Sequence, residues 1–175
     1  MYYEKLGGID VEALKLRGVG FKQLLWHYMY QMEYLWSVIC PRIEDRSTIV
    51  LDMHGVNMKD IGGEVLQFIK VAVAMLATHY PARSNCIFII NVPTWFSMVF
   101  RLIRPLLNEG TRQKIRPYDA SQYQNALREW VDSDELPREY GGTSPHPLFQ
   151  HPWEQELVQH VRTTLSKANA ELEAV

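Results

Sequence analysis

The sequence predicts an α/β fold with a mostly parallel sheet. Two runs, Ser47–Met53 and Cys86–Val92, are continuously apolar and rich in β-branched residues, which is typical of strands buried on both faces. Long segments with apolar residues at helical spacing lie beside these runs. Strands that alternate with long helices need crossover connections, and crossover connections join parallel strands.

The expected elements follow one another without internal repeats or low-complexity tracts. Each strand is a short apolar run, and each helix carries apolar residues three to four positions apart. Pro41 and Pro81 end two helices, because the residue before a proline disfavours helical backbone angles. In chain order we expect strand Met1–Leu6, helix Phe21–Cys40, strand Ser47–Met53, helix Gly63–Tyr80, strand Cys86–Val92, a helix after Pro93 to Leu107, strand Lys114–Tyr118, helix Ser121–Val131 and helix Trp153–Leu172.

Composition narrows the class of protein. Apolar residues make up 47% of the 175 residues, which is enough for a sizeable core. The 18 basic residues are outnumbered by 20 acidic ones, so a general nucleic-acid binder is disfavoured. Apolar runs are too short to span a bilayer, and the start shows no secretory signal. Cys40 and Cys86 are isolated and fit free thiols in a reducing compartment. We therefore expect a cytoplasmic protein.

Motifs for bond chemistry are missing from the sequence. It contains no nucleophile elbow, phosphate-binding glycine loop, dinucleotide fingerprint or cysteine/histidine cluster with zinc spacing. Asp52 and His54 imitate one element of metallophosphoesterases without the others, so Asp52 is expected to accept a hydrogen bond from the following turn. His146 and His151 flank prolines and are expected to be loop residues. The sequence predicts no enzyme, no cofactor and no metal site.

The segment after Pro93 is apolar over more than one face of a helix, and such a helix is either buried or faces lipid. Pro105 is expected to kink it. Five cations lie between Arg101 and Arg116 against one acid, Glu109. An apolar helix flanked by cations suits an anionic membrane surface; a central core helix with a charged end is the alternative.

Several short motifs occur in an order that resembles the CRAL-TRIO lipid-binding family, which includes retinaldehyde-binding, α-tocopherol transfer and phosphatidylinositol/phosphatidylcholine transfer proteins. The resemblance covers about residues 1–143. The motifs are Asp52 with Gly55, Tyr80-Pro81-Ala82-Arg83, Ile89-Ile90-Asn91-Val92-Pro93, Phe96 with Phe100-Arg101, Pro105 with Leu107, Thr111 with Lys114-Ile115, and Leu136-Pro137-Arg138-Glu139-Tyr140-Gly141-Gly142.

The resemblance implies a sheet floor flanked by helices that enclose an apolar cavity for one lipid, with a mobile gate helix at about Phe96–Glu109. Floor strands Ile49–Asp52 and Ile87–Ile90 and helices Val65–Leu76 and Phe96–Leu107 are expected to surround the cavity. The expected gate and cavity residues are Trp95, Phe96, Val99, Phe100, Ile103, Leu106 and Leu107, and the expected membrane-facing cations are Arg101, Arg104 and Arg112.

The lipid headgroup is expected to meet Lys114, Arg83, Ser47 and Thr48. Family members that bind phosphatidylinositol resemble one another in a Glu at the position of Ala82, so the resemblance implies weak phosphatidylinositol binding here. Members usually carry a preceding N-terminal helical domain, and this chain starts at the first strand. That domain is therefore expected to be missing from it.

The predicted organisation is a lipid-binding domain at 1–143, a loop at 144–152 and an amphipathic helix at 153–175. The sequence predicts binding and transfer of one hydrophobic lipid by a cytoplasmic protein that visits membranes transiently. The alternative is an interaction module of the same fold that does not exchange lipid and recruits a protein through residues 153–172. That C-terminal helix either packs on the domain or contacts the partner.

Overall fold

The computed structural model describes residues 1–80 and 83–173. The chain divides into two compact units, residues 1–123 and 124–175, and each is considered by itself below. Among the described residues, no helix is both long enough and apolar enough to cross a membrane.

The first unit is built on a four-stranded sheet in which all neighbours are parallel. Its strands are β1 (Tyr2–Lys5), β2 (Ser47–Asp52), β3 (Ser84–Ile90) and β4 (Ile115–Pro117). They lie side by side in chain order. The predicted α/β fold with a parallel sheet is therefore confirmed.

Five helices connect these strands. The second and third touch through the stacked rings of Phe21 and Phe68, whose centroids are 5.3 Å apart. A π-helical turn at Leu35–Ile39 extends the second helix towards the length predicted for it. The helices are α1 (Val11–Leu16), α2 (Phe21–Tyr34), α3 (Gly63–His79), α4 (Phe96–Ile103) and α5 (Glu109–Lys114).

The segment predicted as one kinked gate helix is divided in the structure. Helix α4 ends at Ile103, and Pro105 lies in a 3-10 turn at Arg104–Leu106. Proline lacks the backbone N–H that would continue the helix, so it ends α4 instead of kinking it. Asn108 then accepts a hydrogen bond from the Thr111 backbone at 2.8 Å and begins α5, a helix that the sequence analysis did not expect.

The sheet has two unlike faces. Crossovers between parallel neighbours are right-handed as a rule, and this rule places α2, α3 and α4 on the same face. The hydroxyl of Tyr2 donates to Gln31 of α2 at 3.3 Å, which shows that Tyr2 lies on that helix-covered face. Side chains alternate between faces along a strand, and the registers extend each row across the sheet. We call the helix-covered face the open face; it carries Tyr2, Glu4, Ile49, Leu51, Ile87 and Ile89. We call the opposite face the closed face; it carries Val50, Asp52, Cys86, Phe88 and Ile90.

The closed face is the more completely buried face of the sheet. Val50, Phe88 and Ile90 are at most 1% exposed. The Phe88 ring stacks on Tyr118 with a centroid separation of 6.0 Å. By contrast, Tyr2, Ile49 and Ile87 on the open face are only half-buried, although a layer of helices covers that face.

The second unit holds α6 (Tyr123–Trp130), whose first residue ends the first unit, and α7 (Pro152–Glu173). Between them, Gly141 has a φ of 90°, in the left-handed region, and its carbonyl accepts from Arg128 at 2.9 Å. A side chain at Gly142 would collide with the Leu136 carbonyl. These contacts explain the glycine pair of the downstream motif. The predicted boundaries at 143 and 152 stay predictions, and the Leu172 side chain lies outside the described residues.

Candidate lipid site

The space between the open face and the helix layer is lined by apolar side chains that remain accessible. Ile49, Leu51 and Ile87 are half-buried, whereas Ile89 is 8% exposed. No described side chain of α3 or α4 is fully buried. A well-packed interior buries such side chains completely, so two apolar layers face each other here without sealing the space.

A closed cavity in that space stays a prediction. Two concavities on the described residues lie elsewhere, and neither is between the sheet and α3 or α4. One is a groove on the surface of α7. The other lies between α1 and the start of α2 and measures about 10 Å³, which holds at most one water molecule.

Helix α4 is apolar on two sides. One side carries half-buried residues at positions i, i+3, i+4 and i+7, and the rings of Phe96 and Phe100 stack there with centroids 5.5 Å apart. The opposite side exposes Met98 by 39% and Leu102 by 54%. The half-buried side consists of Phe96, Val99, Phe100 and Ile103.

The remaining predicted gate residues lie at the ends of α4. Trp95 precedes its first turn and is half-buried. After the helix, Leu106 is 39% exposed and Leu107 is buried. The apolar surface of α4 therefore continues onto the exposed 3-10 turn and ends at the buried side chain of Leu107.

The three predicted membrane-facing cations differ in their surroundings. Arg101 and Arg104 are exposed, and their guanidinium groups make no hydrogen bond or ion pair with the described residues. Arg112 instead donates from Nε to the Arg104 carbonyl at 3.1 Å and pairs with Glu109 at 3.3 Å. Two of the three cations are thus available beside the exposed apolar side of α4, and the third ties α5 to the 3-10 turn at Arg104–Leu106.

Three of the predicted headgroup residues gather at the edge where β2, β3 and β4 begin. Ser47 is in register with Ser84, and its backbone N–H donates to the Arg83 carbonyl at 2.9 Å. Lys114 Nζ donates to the Ser84 carbonyl at 2.7 Å. The fourth residue, Thr48, is in register with Cys86 on the closed face and so points away from the helix-covered side.

Arg83 is held firmly at this edge. Its Nη1 donates to the carbonyls of Arg42 and Ile43 at 2.8 and 3.4 Å. Its guanidinium carbon lies 4.8 Å from the centroid of the Trp36 ring, within the range of a cation–π interaction. Pro81 and Ala82 lie outside the described residues, so the implied weak phosphatidylinositol binding stays a prediction from sequence.

Asp52 at the opposite edge of the sheet has the local role that the sequence indicated. One carboxylate oxygen accepts from the His54 backbone at 2.8 Å and from the Asn91 amide at 2.7 Å. Asn91 adopts a φ of 54°, which asparagine tolerates better than most residues. The predicted hydrogen bond to the turn is confirmed, and Asp52 joins the ends of β2 and β3.

A polar pair on the open face was missed from sequence. Glu4 accepts a weak hydrogen bond from Tyr2 at 3.5 Å. Burial raises the pKa of Glu4 to about 7, since a desolvated carboxylate is disfavoured. Burial also raises the pKa of Tyr2. The alternation of Tyr2 and Glu4 along β1 was the available signal, but it identifies a helix-covered face only once the neighbouring strands are known.

Comparisons with known proteins agree with this architecture. The CRAL/TRIO domain matches residues 2–142. The SEC14 cytosolic factor of Candida glabrata is 29% identical over 151 residues, which cover 82% of this chain and 49% of that protein. The Sec14 cytosolic factor of Schizosaccharomyces pombe is 29% identical over 168 residues, covering 89% of this chain and 58% of that protein.

A third relative is the phosphatidylinositol/phosphatidylcholine transfer protein SFH12 of Arabidopsis thaliana, 29% identical over 82% of this chain and 27% of its own length. A solved structure, the crystal structure of Sfh5, matches with a TM-score of 0.68 at 20% identity, over 94% of this chain and 58% of that one. The chain spans about half the length of the two cytosolic factors. The domain match, these relatives and the shared fold show that the chain belongs to the CRAL/TRIO domain family.

Proposed function

We propose that this chain binds a single hydrophobic lipid between the open face of its sheet and α3–α4, and transfers it between membranes. The observation that carries the proposal is the two-sided apolarity of α4. Its half-buried side has Phe96 and Phe100 towards the interior, and its other side exposes Met98 and Leu102 to solvent. A helix of this kind can contact a lipid on one side and a bilayer on the other.

The charged groups support a membrane encounter. Arg101 and Arg104 stand exposed beside the apolar side of α4, and cations near an anionic surface contribute about 1 kcal/mol each. Relatives are named cytosolic factors and phosphatidylinositol/phosphatidylcholine transfer proteins. We therefore propose a cytoplasmic protein that associates transiently with membranes, binds a phospholipid or a similar lipid, and performs no bond chemistry.

A second candidate is an interaction module that does not exchange lipid. Helix α7 favours it, because it exposes Trp153 by 50%, Val158 by 44% and Leu165 by 57%. A protein partner that covers these side chains would remove their apolar surface from water. This candidate needs no ligand between the sheet and α4.

Native mass spectrometry of the purified chain separates the two candidates. Lipid transfer predicts one co-purified lipid per chain, which organic extraction then identifies. A stable chain that carries no lipid and extracts none from vesicles would contradict the transfer proposal.

The two sides of α4 provide a matched pair of variants. Phe96→Asp with Phe100→Asp is expected to weaken lipid retention and exchange, because charges then face the apolar space. Met98→Asp with Leu102→Asp is expected to retain a loaded lipid but to lose vesicle binding. For each variant, circular dichroism measures whether the chain is folded, and vesicle flotation measures whether it binds membranes. Unfolding of the Phe96/Phe100 variant would show that α4 is simply a core helix.

The headgroup edge gives a further expectation. A phosphatidylinositol hydroxyl without an acceptor in a closed site weakens binding by roughly 5- to 150-fold. Ala82→Glu is therefore expected to improve phosphatidylinositol transfer, and Lys114→Ala to weaken binding of every phospholipid. Robust phosphatidylinositol exchange by the unmodified chain would contradict this assignment.

A further inference from the structure

Trp36 carries a buried donor that nothing in the described structure satisfies. The residue lies in the π-helical turn Leu35–Ile39 and is 8% exposed. Its indole Nε1 is buried and has no hydrogen-bond partner among the described residues. Proteins rarely leave a buried N–H without an acceptor, because its lost hydration is not replaced. Its acceptor is therefore expected from outside the chain, either an ordered water or a bound molecule.

The surroundings of Trp36 are rich in further donors. The Arg83 guanidinium lies over its ring, and only Nη1 of that group donates to described residues, leaving Nε and Nη2 available. Ser47, bonded through its backbone to the Arg83 carbonyl, is itself 9% exposed. Asp45 could compete for these donors, but its carboxylate oxygens are bound by Arg42 at 2.9 and 3.1 Å. Among the described residues, the cluster thus offers more N–H and O–H groups than its own carboxylate engages.

We infer that Trp36 donates its indole N–H to a phosphate oxygen, and that Trp36, Arg83 and Ser47 together form a phosphate subsite for the bound lipid. The inference rests on the proposed lipid binding and adds a headgroup residue to it. Arginine N–H groups match phosphate oxygens in geometry and charge. Stacking on the indole and the two bonds from Nη1 hold the guanidinium plane in place, so the subsite is arranged before the ligand arrives.

The decisive variant is Trp36→Phe, which keeps an aromatic ring under Arg83 and removes only the N–H. Trp26→Phe on α2, where the tryptophan is 60% exposed, is the matched control. The probes are dihexanoyl phosphatidylcholine, dihexanoyl glycerol, which lacks the phosphate, and inorganic phosphate. Affinities are measured by isothermal titration calorimetry on the full chain.

We expect Trp36→Phe to weaken the binding of dihexanoyl phosphatidylcholine by roughly 5- to 150-fold and to leave the binding of dihexanoyl glycerol unchanged. Trp26→Phe should change neither. If inorganic phosphate binds the unmodified chain and Trp36→Phe weakens that binding, the subsite also accepts free phosphate. An effect confined to the phosphatidylcholine would identify a site for headgroups alone.

Equal phosphatidylcholine binding by Trp36→Phe and the unmodified chain would overturn the inference while leaving lipid binding intact. An unmodified chain that binds neither lipid would instead contradict the proposed function. The variant is expected to be at least as stable as the unmodified chain when lipid-free, because it loses an unsatisfied donor. If Trp36→Phe fails to fold, Ser47→Ala tests the same subsite. The inference requires that Ser47→Ala weaken phosphatidylcholine binding and leave diacylglycerol binding unchanged.

Discussion

The two faces of the sheet are built from similar residues and have different roles. Ile90 on the closed face is fully buried, whereas Ile87, three positions earlier in the same strand, is only half-buried. Continuous apolar strands are normally a sign of burial on both faces. Here one face is almost fully buried and the other is mostly half-buried, so strand composition alone does not distinguish a core face from a partly accessible one.

A matched pair of truncations tests this contrast with the largest expected effect. Ile90→Ala should lower the free energy of unfolding by about 2–5 kcal/mol, because it leaves a cavity in a packed core. Ile87→Ala should cost roughly 1 kcal/mol, because its surroundings are already open. Urea unfolding monitored by circular dichroism measures both. Equal losses would show that the two faces are packed alike.

The pKa of Glu4 measures how dry the open face is. It rises from an ordinary value of 4.5 to about 7 on folding, so the folded state binds more protons between these values. The contribution of Glu4 to stability is therefore largest below about pH 4.5, falls as the pH rises to about 7, and then levels off.

Glu4→Gln should remove this slope and stabilise the protein at pH 8 by about 2 kcal/mol. Thermal unfolding from pH 4 to pH 8 gives the measurement. Glu12→Gln, on the exposed surface of α1, is the control and should keep the slope. An unchanged pH profile in Glu4→Gln would mean that water fills the open face.

A smaller effect, on membrane binding, is expected at Arg104 in the 3-10 turn after α4. Arg104→Ala should weaken binding to vesicles with anionic lipid by about 1 kcal/mol, or roughly fivefold, and the loss should shrink as salt is added. Arg17→Ala removes the same charge from an exposed position after α1. If both variants bind vesicles equally well, membrane attraction arises from overall charge and not from the gate segment.

The smallest effect is expected at the surface between α1 and α3. Lys15 and Glu64 form an ion pair of 2.6 Å, with side chains that are 50% and 69% exposed. Exposed pairs contribute little, so Lys15→Ala should leave the free energy of unfolding almost unchanged. A larger loss in urea unfolding would indicate that α1 helps to close the helix layer.

The sequence was informative where one residue type has one common meaning. The apolar runs around Ile49 and Ile87 predicted strands correctly, whereas Pro105, expected to kink one long helix, ends α4 instead. Asn108 was ambiguous, because asparagine both ends a helix and caps the next one. The helix that it begins was therefore missed.

The site was less predictable than the fold, because its contacts are made between distant residues. Nothing near Arg112 in the sequence indicates that it bonds the carbonyl of Arg104, or that Arg83 stacks on Trp36. The raised pKa of Glu4 likewise depends on which helices cover β1. Such features require the packing of the chain, which no local pattern in the sequence supplies.

The order of the strands also bears on how the protein is made. Each strand after β1 pairs with the strand synthesised just before it, so sheet assembly can follow the chain as it leaves the ribosome. The paired residues are far apart in sequence, as Tyr2 and Ile49 illustrate, and such non-local parallel pairing favours slow folding. All four strands lie before Tyr118, so the whole sheet is synthesised before α7.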